Sequence, residues 1–328
     1  MLEKLLKSFI PWVGGKGALR KLIYRLFPSG YKKYVEVFGG GGSVLFGRKH
    51  PQKCMEIYND ANGDLVNLFY CVKNKPLALL AELGFLPLHA RDEFKILKKF
   101  LKKEEFTDDD LKEELELAEH FLPPPDFEEI RILLAGQAAL RDVRRAAAYY
   151  KLIRYSYGGG GNSYGARPLD IRRGFHLIWE CSRRLAEVVI EHKDFEALIE
   201  TYDSSETLFY IDPPYFEAEC YEVEFSLNDH YRLMQVLSKC EGMWVLSYND
   251  CPFIRNLYAG YRIYPVRRLN NMAQRYESGK EYPEVIILNY DPKEYAKENP
   301  IQMTLFQSDQ EDEDEYDYVI ANEQEELT

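Results

Sequence analysis

The stretch Thr207-Leu208-Phe209-Tyr210-Ile211-Asp212-Pro213-Pro214-Tyr215 runs from an apolar segment straight into a carboxylate, two prolines and an aromatic ring. The first five residues form a short apolar run bounded by turn residues, the pattern of a buried strand. The polar residues therefore sit where the strand ends, which in an open α/β sheet is where ligands bind. Proline locks φ, and Pro214 also restricts the residue before it, so the loop is stiff and its carbonyls point in set directions. One carboxylate and one such carbonyl can accept two hydrogen bonds from a single amino group, while Tyr215 can stack on a flat ring. That combination suits an exocyclic amine on a heterocycle. A plain surface turn is the competing reading, because Asp-Pro turns are common.

A second element stands upstream. Tyr34-Val35-Glu36-Val37-Phe38 reads as another buried strand and runs into Gly39-Gly40-Gly41-Gly42-Ser43, then into a helix start at Val44-Leu45-Phe46. Glycines after a strand let the backbone approach a ligand closely. The spacing matches neither the dinucleotide fingerprint nor a P-loop, which would need a following lysine. A third strand, Met55-Glu56-Ile57-Tyr58, ends in Asn59-Asp60. An acidic residue about 20 positions past a glycine loop is placed to bind ribose hydroxyls. Before the first strand, Trp12, Gly14, Gly15 and Lys16 precede a helical pattern.

The ordered set Trp12…Gly14-Gly15-Lys16, Phe38-Gly39…Gly42-Ser43, Asn59-Asp60 and Asp212-Pro213-Pro214-Tyr215 resembles the D12 class of DNA adenine-N6 methyltransferases, the group containing the Dam enzymes. Asp194-Phe195, Asp229-His230, Leu246-Ser247-Tyr248-Asn249-Asp250 and Glu284-Val285-Ile286-Ile287-Leu288-Asn289 also fit, so the resemblance covers roughly residues 8–290. It implies a Rossmann-like α/β sheet that binds S-adenosylmethionine, with no metal. The catalytic loop would be Asp212, Pro213, Pro214 and Tyr215, with Asp212 also beside the donor. Phe38, Gly39, Gly40 and Gly41 would line the donor's methionine part. Asp60 would bind its ribose or its amino group, Asp194 and Phe195 would bracket its adenine, and Trp12 and Lys16 would lie close by. Methylation of another planar amine (RNA adenine, cytosine N4, a protein glutamine) and a non-catalytic DNA- or clamp-binding role are the alternatives.

The net charge of −12 is uneven. Residues 309–328 carry ten acidic side chains and no basic ones, which leaves 44 acidic against 42 basic residues in the body. Segment 1–35 holds eight Lys/Arg against Glu3 alone, and segment 141–184 holds ten against three acids. Such patches suit duplex DNA, because counterion release drives phosphate binding. No apolar stretch is long enough to span a membrane, no signal peptide is visible, and the six cysteines form no Cys-x-x-Cys pair. These features imply a cytoplasmic protein, and the resemblance implies one that is bacterial or phage-encoded.

Residues 1–84 and 186–295 alternate strand and helix patterns and are expected to form one catalytic domain with a mostly parallel sheet. Later strands are expected at Glu187–Ile190, Met243–Ser247 and Glu284–Leu288. Residues 85–185 read as an inserted, mainly helical domain. Helical patterns run from Asp92 to about Ala118 and from Ile130 to Arg154, with Pro123-Pro124-Pro125 as a break. On the resemblance this insertion is the target-recognition domain. Its segment Arg154 to Pro168 is rich in Arg, Tyr, Gly and Asn, and Arg154, Tyr155, Asn162, Ser163, Tyr164 and Arg167 are DNA-contact candidates. A second candidate loop, 266–281, offers Arg268 and Asn271. In the tail, 296–328, Gln302-Met303-Thr304-Leu305-Phe306 resembles peptides that dock on bacterial sliding clamps, and an acidic, apolar-poor end follows. Dam-like enzymes generally act as monomers, and the same is expected here.

Overall fold

A computed structural model describes residues 5–48, 54–85, 91–102, 142–166, 169–216, 225–269 and 281–295. Arg167, Asn271, the Pro123–Pro125 break and the whole 296–328 tail lie outside those residues.

Seven strands form one sheet: β1 (Lys33–Glu36), β2 (Met55–Asn59), β3 (Val189–Glu191), β4 (Thr207–Ile211), β5 (Met243–Asn249), β6 (Arg262–Leu269) and β7 (Glu281–Leu288). Their order is β3-β2-β1-β4-β5-β7-β6. The first five run parallel, and β7 is antiparallel to both β5 and β6. This is the Rossmann-like sheet that the alternating pattern leads one to expect. Every residue of β4 is buried, as its unbroken apolar run requires of a central strand covered on both faces. The order reverses between β1 and β4, so their carboxyl ends flank the crevice where open sheets place ligands.

Side-chain alternation divides the sheet. Val35, Ile57, Phe209, Ile211, Trp244, Leu246, Tyr248, Val285 and Ile287 share one buried cluster with Leu198, Ile199, Leu233, Val236, Leu237, Ile254 and Tyr258. Those partners come from helices Phe195–Tyr202, Leu227–Lys239 and Pro252–Leu257 and from the turn that follows the last of them. Tyr34 and Tyr210 have the opposite parity and pack instead against Phe27, at the end of helix Arg20–Leu26.

Strand β6 departs from expectation. Residues 266–269, expected from their sequence to begin a loop, continue a strand that pairs with β7 from Arg262↔Leu288 to Leu269↔Glu281. Pro265, Arg267 and Arg268 hide it from pattern reading. Proline is tolerated there because β6 is an edge strand. Arg268 lies in β6, and only its backbone is described.

The bend after β1 depends on glycine. Gly40 and Gly42 have φ of 49° and 67°, a region that costs other residues strain. Gly42 N–H closes the turn on the Gly39 carbonyl at 2.8 Å and then opens the helix Ser43–Gly47. A Cβ on Gly39 would lie 2.1 Å from Cε2 of Tyr58. That ring is fully buried and donates its hydroxyl to the Gly40 carbonyl at 2.8 Å.

The chain divides into two compact units, Met1–Lys7 with Gly14–Ala61 and Glu187–Thr328, and Ser8–Val13 with Asn62–Ala186. The sheet belongs to the first. The described part of the second is helical: Gly63–Asn74, Pro76–Phe85, Arg91–Leu101, Val143–Tyr155 and Phe175–Leu185, with two short 3₁₀ turns. Trp12 belongs to this second unit through its Ser8–Val13 segment. None of the helices among the described residues is long and apolar enough to cross a membrane.

Two outcomes follow from this packing. Burial pushes the Glu36 carboxyl from 4.5 up to about 8, against hydrogen bonds from Tyr34 and the Leu45 backbone, with the charges of Asp212 and Glu56 adding to the rise. The folded chain thus keeps a proton that the unfolded chain releases above pH 4.5. Stability from this group falls as pH rises through that window. Glu36→Gln is therefore expected to gain thermal stability over the parent at pH 9 but little at pH 5; a melting-temperature difference that stays flat with pH would contradict this. Gly39→Ala is expected to lower unfolding free energy by about 1–3 kcal/mol in urea titration, because the methyl must displace a packed ring.

Candidate active site

Asp212 follows β4 directly, and Phe38 and Gly39 lie two and three residues beyond the end of β1. The pairing Glu36↔Tyr210 continues as a Val37 N–H to Tyr210 carbonyl bond of 3.0 Å. The acidic loop and the glycine bend therefore leave the sheet side by side.

Lys16 reaches this point from the segment before the first helix. Its ammonium donates to Asp212 Oδ1 at 2.7 Å, to Oδ2 at 2.8 Å and to the Gly14 carbonyl at 3.0 Å. All three N–H donors are thus used, and Lys16 is only 1% exposed. A buried ammonium is tolerated because a carboxylate and a carbonyl replace its water. Asp212 remains 17% exposed at the side chain, so it is held by Lys16 yet still reachable. The Lys16 ammonium also lies 4.8 Å from the Tyr215 ring centroid, within cation–π range.

Tyr215 is 5% exposed and packs at 6.0 Å from Tyr248. Behind Tyr248, its hydroxyl meets His230 Nδ1 at 2.7 Å. Burial pulls the His230 imidazole below its ordinary value. The neutral ring sits among Phe216, Phe225 and Phe253, so this aromatic stack supports the loop from within. Asn249 Nδ2 donates to the Phe216 carbonyl at 3.1 Å and ties the loop's far end to β5.

The acidic residue after β2 joins the glycine bend. Asp60 Oδ2 accepts the Gly40 N–H at 2.8 Å. Asn59 Nδ2 donates to the carbonyls of Val37 and Lys193, while its Oδ1 accepts the Lys193 N–H. One side chain thereby binds the ends of β1, β2 and β3. Phe38 is half-buried and packs with Phe195 and Phe225, each pair of centroids 5.6 Å apart. Asp194 caps helix Phe195–Tyr202 through the Glu196 N–H and also accepts from Arg232 at 2.9 Å. Arg232 lies 4.7 Å over the Phe195 ring. Among the described residues, no group of three or more His, Cys, Asp or Glu side chains could hold a metal ion.

In the first unit the structure brings Lys16, Asp212 and Tyr215 together, joins Gly40 to Asp60, and packs Phe38 on Phe195. Trp12 is a half-buried residue of the second unit. In that unit, residues 155–165 close into a tight hairpin. The Tyr157 N–H meets the Ser163 carbonyl and the Gly165 N–H meets the Tyr155 carbonyl, both at 2.7 Å. Gly158, Gly159 and Gly161 supply the left-handed turns. Asn162 and Ser163 are exposed at the tip, Arg154 and Tyr164 are half-buried, and Tyr155 is buried. Tyr164 packs on Phe94 and under Arg91.

Sequence reasoning did not single out Ser247, Asn59 or Arg232 as site residues. Ser247 lies one residue past the partner of Ile211 in the β4–β5 register. Its place in Leu246-Ser247-Tyr248-Asn249-Asp250, and a small polar residue inside an otherwise apolar and aromatic run, were the available signals.

With this geometry in place, the comparisons with known proteins are specific. The family model for D12 class N6 adenine-specific DNA methyltransferases matches residues 12–272. The chain is similar to the type II methyltransferase M.CviBI of Paramecium bursaria Chlorella virus NC1A, at 24% identity over 78% of this chain and 88% of that one. It is similar to the type II methyltransferase M.MjaIII of Methanocaldococcus jannaschii, at 28% identity over 87% of this chain and 99% of that one. A family match that spans both the glycine bend and the Asp212 loop makes this chain a member of the D12 class of N6 adenine-specific DNA methyltransferases.

Proposed function

We propose that this chain transfers a methyl group from S-adenosylmethionine to the N6 amine of an adenine rotated out of duplex DNA. The observation that carries the reading is the convergence of Asp212, held by Lys16, with the Gly39–Gly42 bend at the paired ends of β4 and β1. The bend fits a donor that combines an amino acid with a ribose. Its backbone lacks side chains, and the Asp60 carboxylate is bound to it. Phe38, Gly39, Gly40, Gly41 and Asp60 would hold that part, with Asp194 and Phe195 beside the donor's adenine. S-adenosylmethionine supplies, when bound, an electrophilic methyl on a sulfonium.

The adenine amine is a poor nucleophile because its lone pair is delocalised into the ring. In the proposed step, Asp212 and the Pro213 carbonyl accept its two hydrogens, which frees the lone pair. Pro213 and Pro214 keep the acceptors in place, and Tyr215 stacks on the ring. Orientation and preorganised charge supply the acceleration. A base inside a duplex is out of reach, so it must be extruded first. Asn162 and Ser163 at the hairpin tip, with Arg154, Tyr155, Tyr164, Arg167, Arg268 and Asn271, are assigned to duplex contacts. The type II names of the two relatives support a place beside a restriction activity. Through Gln302–Phe306 the chain would also dock on a sliding clamp.

Two outcomes test this. Asp212→Asn keeps a polar partner for Lys16, whereas Asp212→Ala leaves a buried charge unpaired at a cost of about 3–5 kcal/mol. The Asn variant is therefore expected to stay folded by circular dichroism and to bind donor. It should lose methyl transfer about a hundredfold or more, in line with loss of a key electrostatic contact. Labelled-donor assays on unmethylated duplex DNA, RNA and protein read this, and turnover at the parent rate would overturn the assignment. A peptide of residues 298–308 is expected to bind a bacterial clamp, and absence of binding at high micromolar concentration would remove that partner.

A further inference from the structure

The hydrogen bonds around Asp212 are unequal. Oδ1 accepts from Lys16 at 2.7 Å and from the Ser247 hydroxyl at 3.0 Å. Oδ2 accepts from Lys16 alone among the described residues, at 2.8 Å. A carboxylate oxygen offers two lone-pair directions. Oδ1 is therefore saturated, and Oδ2 keeps one site.

We infer that Ser247 is a positioning residue that locks the Asp212 carboxylate in rotation and leaves Oδ2 as the oxygen that receives the target amine. The inference rests on the reading of Asp212 as the amine acceptor. Ser247 suits the task because β5 neighbours β4 and holds it rigidly. The residue is 1% exposed, so water does not compete for its proton. Its hydroxyl also lies 3.3 Å from the Tyr210 hydroxyl and 3.5 Å from the Ile211 carbonyl. The Ile211 contact is at the limit of hydrogen-bond length, so the Ser247 proton belongs to Asp212. Tyr210 is then the donor to Ser247. Burial pushes its phenol well above the ordinary value, which keeps that proton in place. A short relay results: Tyr210 donates to Ser247, and Ser247 donates to Asp212. Without it, the carboxylate could tilt about its Cβ–Cγ bond while keeping Lys16, and the free lone pair of its outer oxygen would no longer be held in one direction.

The test is single-turnover methylation of unmethylated plasmid DNA by the full chain in excess, with donor affinity measured in parallel by calorimetry. Ser247→Ala is expected to slow the methyl-transfer step roughly tenfold, the scale of one lost hydrogen bond to a charged group, with donor affinity unchanged. Tyr210→Phe is expected to slow it roughly twofold to threefold, as a donor one step removed. Because Tyr210 acts through Ser247, the double variant is expected to match Ser247→Ala alone. A parent-like rate for Ser247→Ala, or additive losses in the double variant, would overturn the role of Ser247. Parent-like turnover in Asp212→Asn would instead remove the underlying reading, so the two failures are distinct.

Discussion

Parallel pairing of β1 with β4 is the constraint on which the site depends. These strands lie far apart in the chain, yet their register sets Glu36 opposite Tyr210. Three residues further on, at Gly39 and Pro213, one chain turns through glycines and the other through prolines. The contrast is chemical. The glycine bend needs left-handed φ at Gly40 and Gly42 and no side chain at Gly39, where Tyr58 fills the space. The proline loop needs the reverse, a backbone with little freedom that carries a carboxylate outward. One turn relies on backbone freedom, the other on its loss.

The same parity that builds the core also builds the site. Tyr210, Asp212 and Ser247 face away from the large cluster around Phe209, Ile211 and Trp244. Polar side chains are thereby grouped on one side of the sheet, near Glu36 and Lys16. Burial there is expensive for charge, and the structure responds in two ways. Lys16 and Asp212 compensate each other directly, whereas Glu36 retains its proton. An ion pair and a neutral acid thus stand close together, each in the state that its surroundings favour.

The second unit follows a different logic. Helix Val143–Tyr155 buries Ala146, Ala147, Tyr149, Tyr150, Leu152 and Ile153 and leads straight into the hairpin. Asp64 meets Arg145 within the same unit at 2.9 Å. A polar, glycine-rich tip is thus carried on a packed helical base. The small residues Asn162 and Ser163 are exposed there.

Much of this was legible in the residues themselves. The run before Asp212 reads as a buried strand, because Leu208, Phe209, Tyr210 and Ile211 in succession leave no face for water. The glycines of 39–42 and 158–161 announced turns, since few other residues adopt those dihedrals. The ordered motifs gave the family. Strand β6 was not legible, because an edge strand can carry proline and arginine without penalty and so loses its pattern. The antiparallel direction of β7 was also hidden, as an apolar run has no polarity. The sequence by itself determined which segments are buried, where the chain bends and which chemistry lies at hand. Only the tertiary structure decided that Lys16 and Ser247 converge on one carboxylate and make its two oxygens unequal. Such contacts depend on strand register and side-chain facing, and those are properties of pairing between distant segments rather than of any one of them.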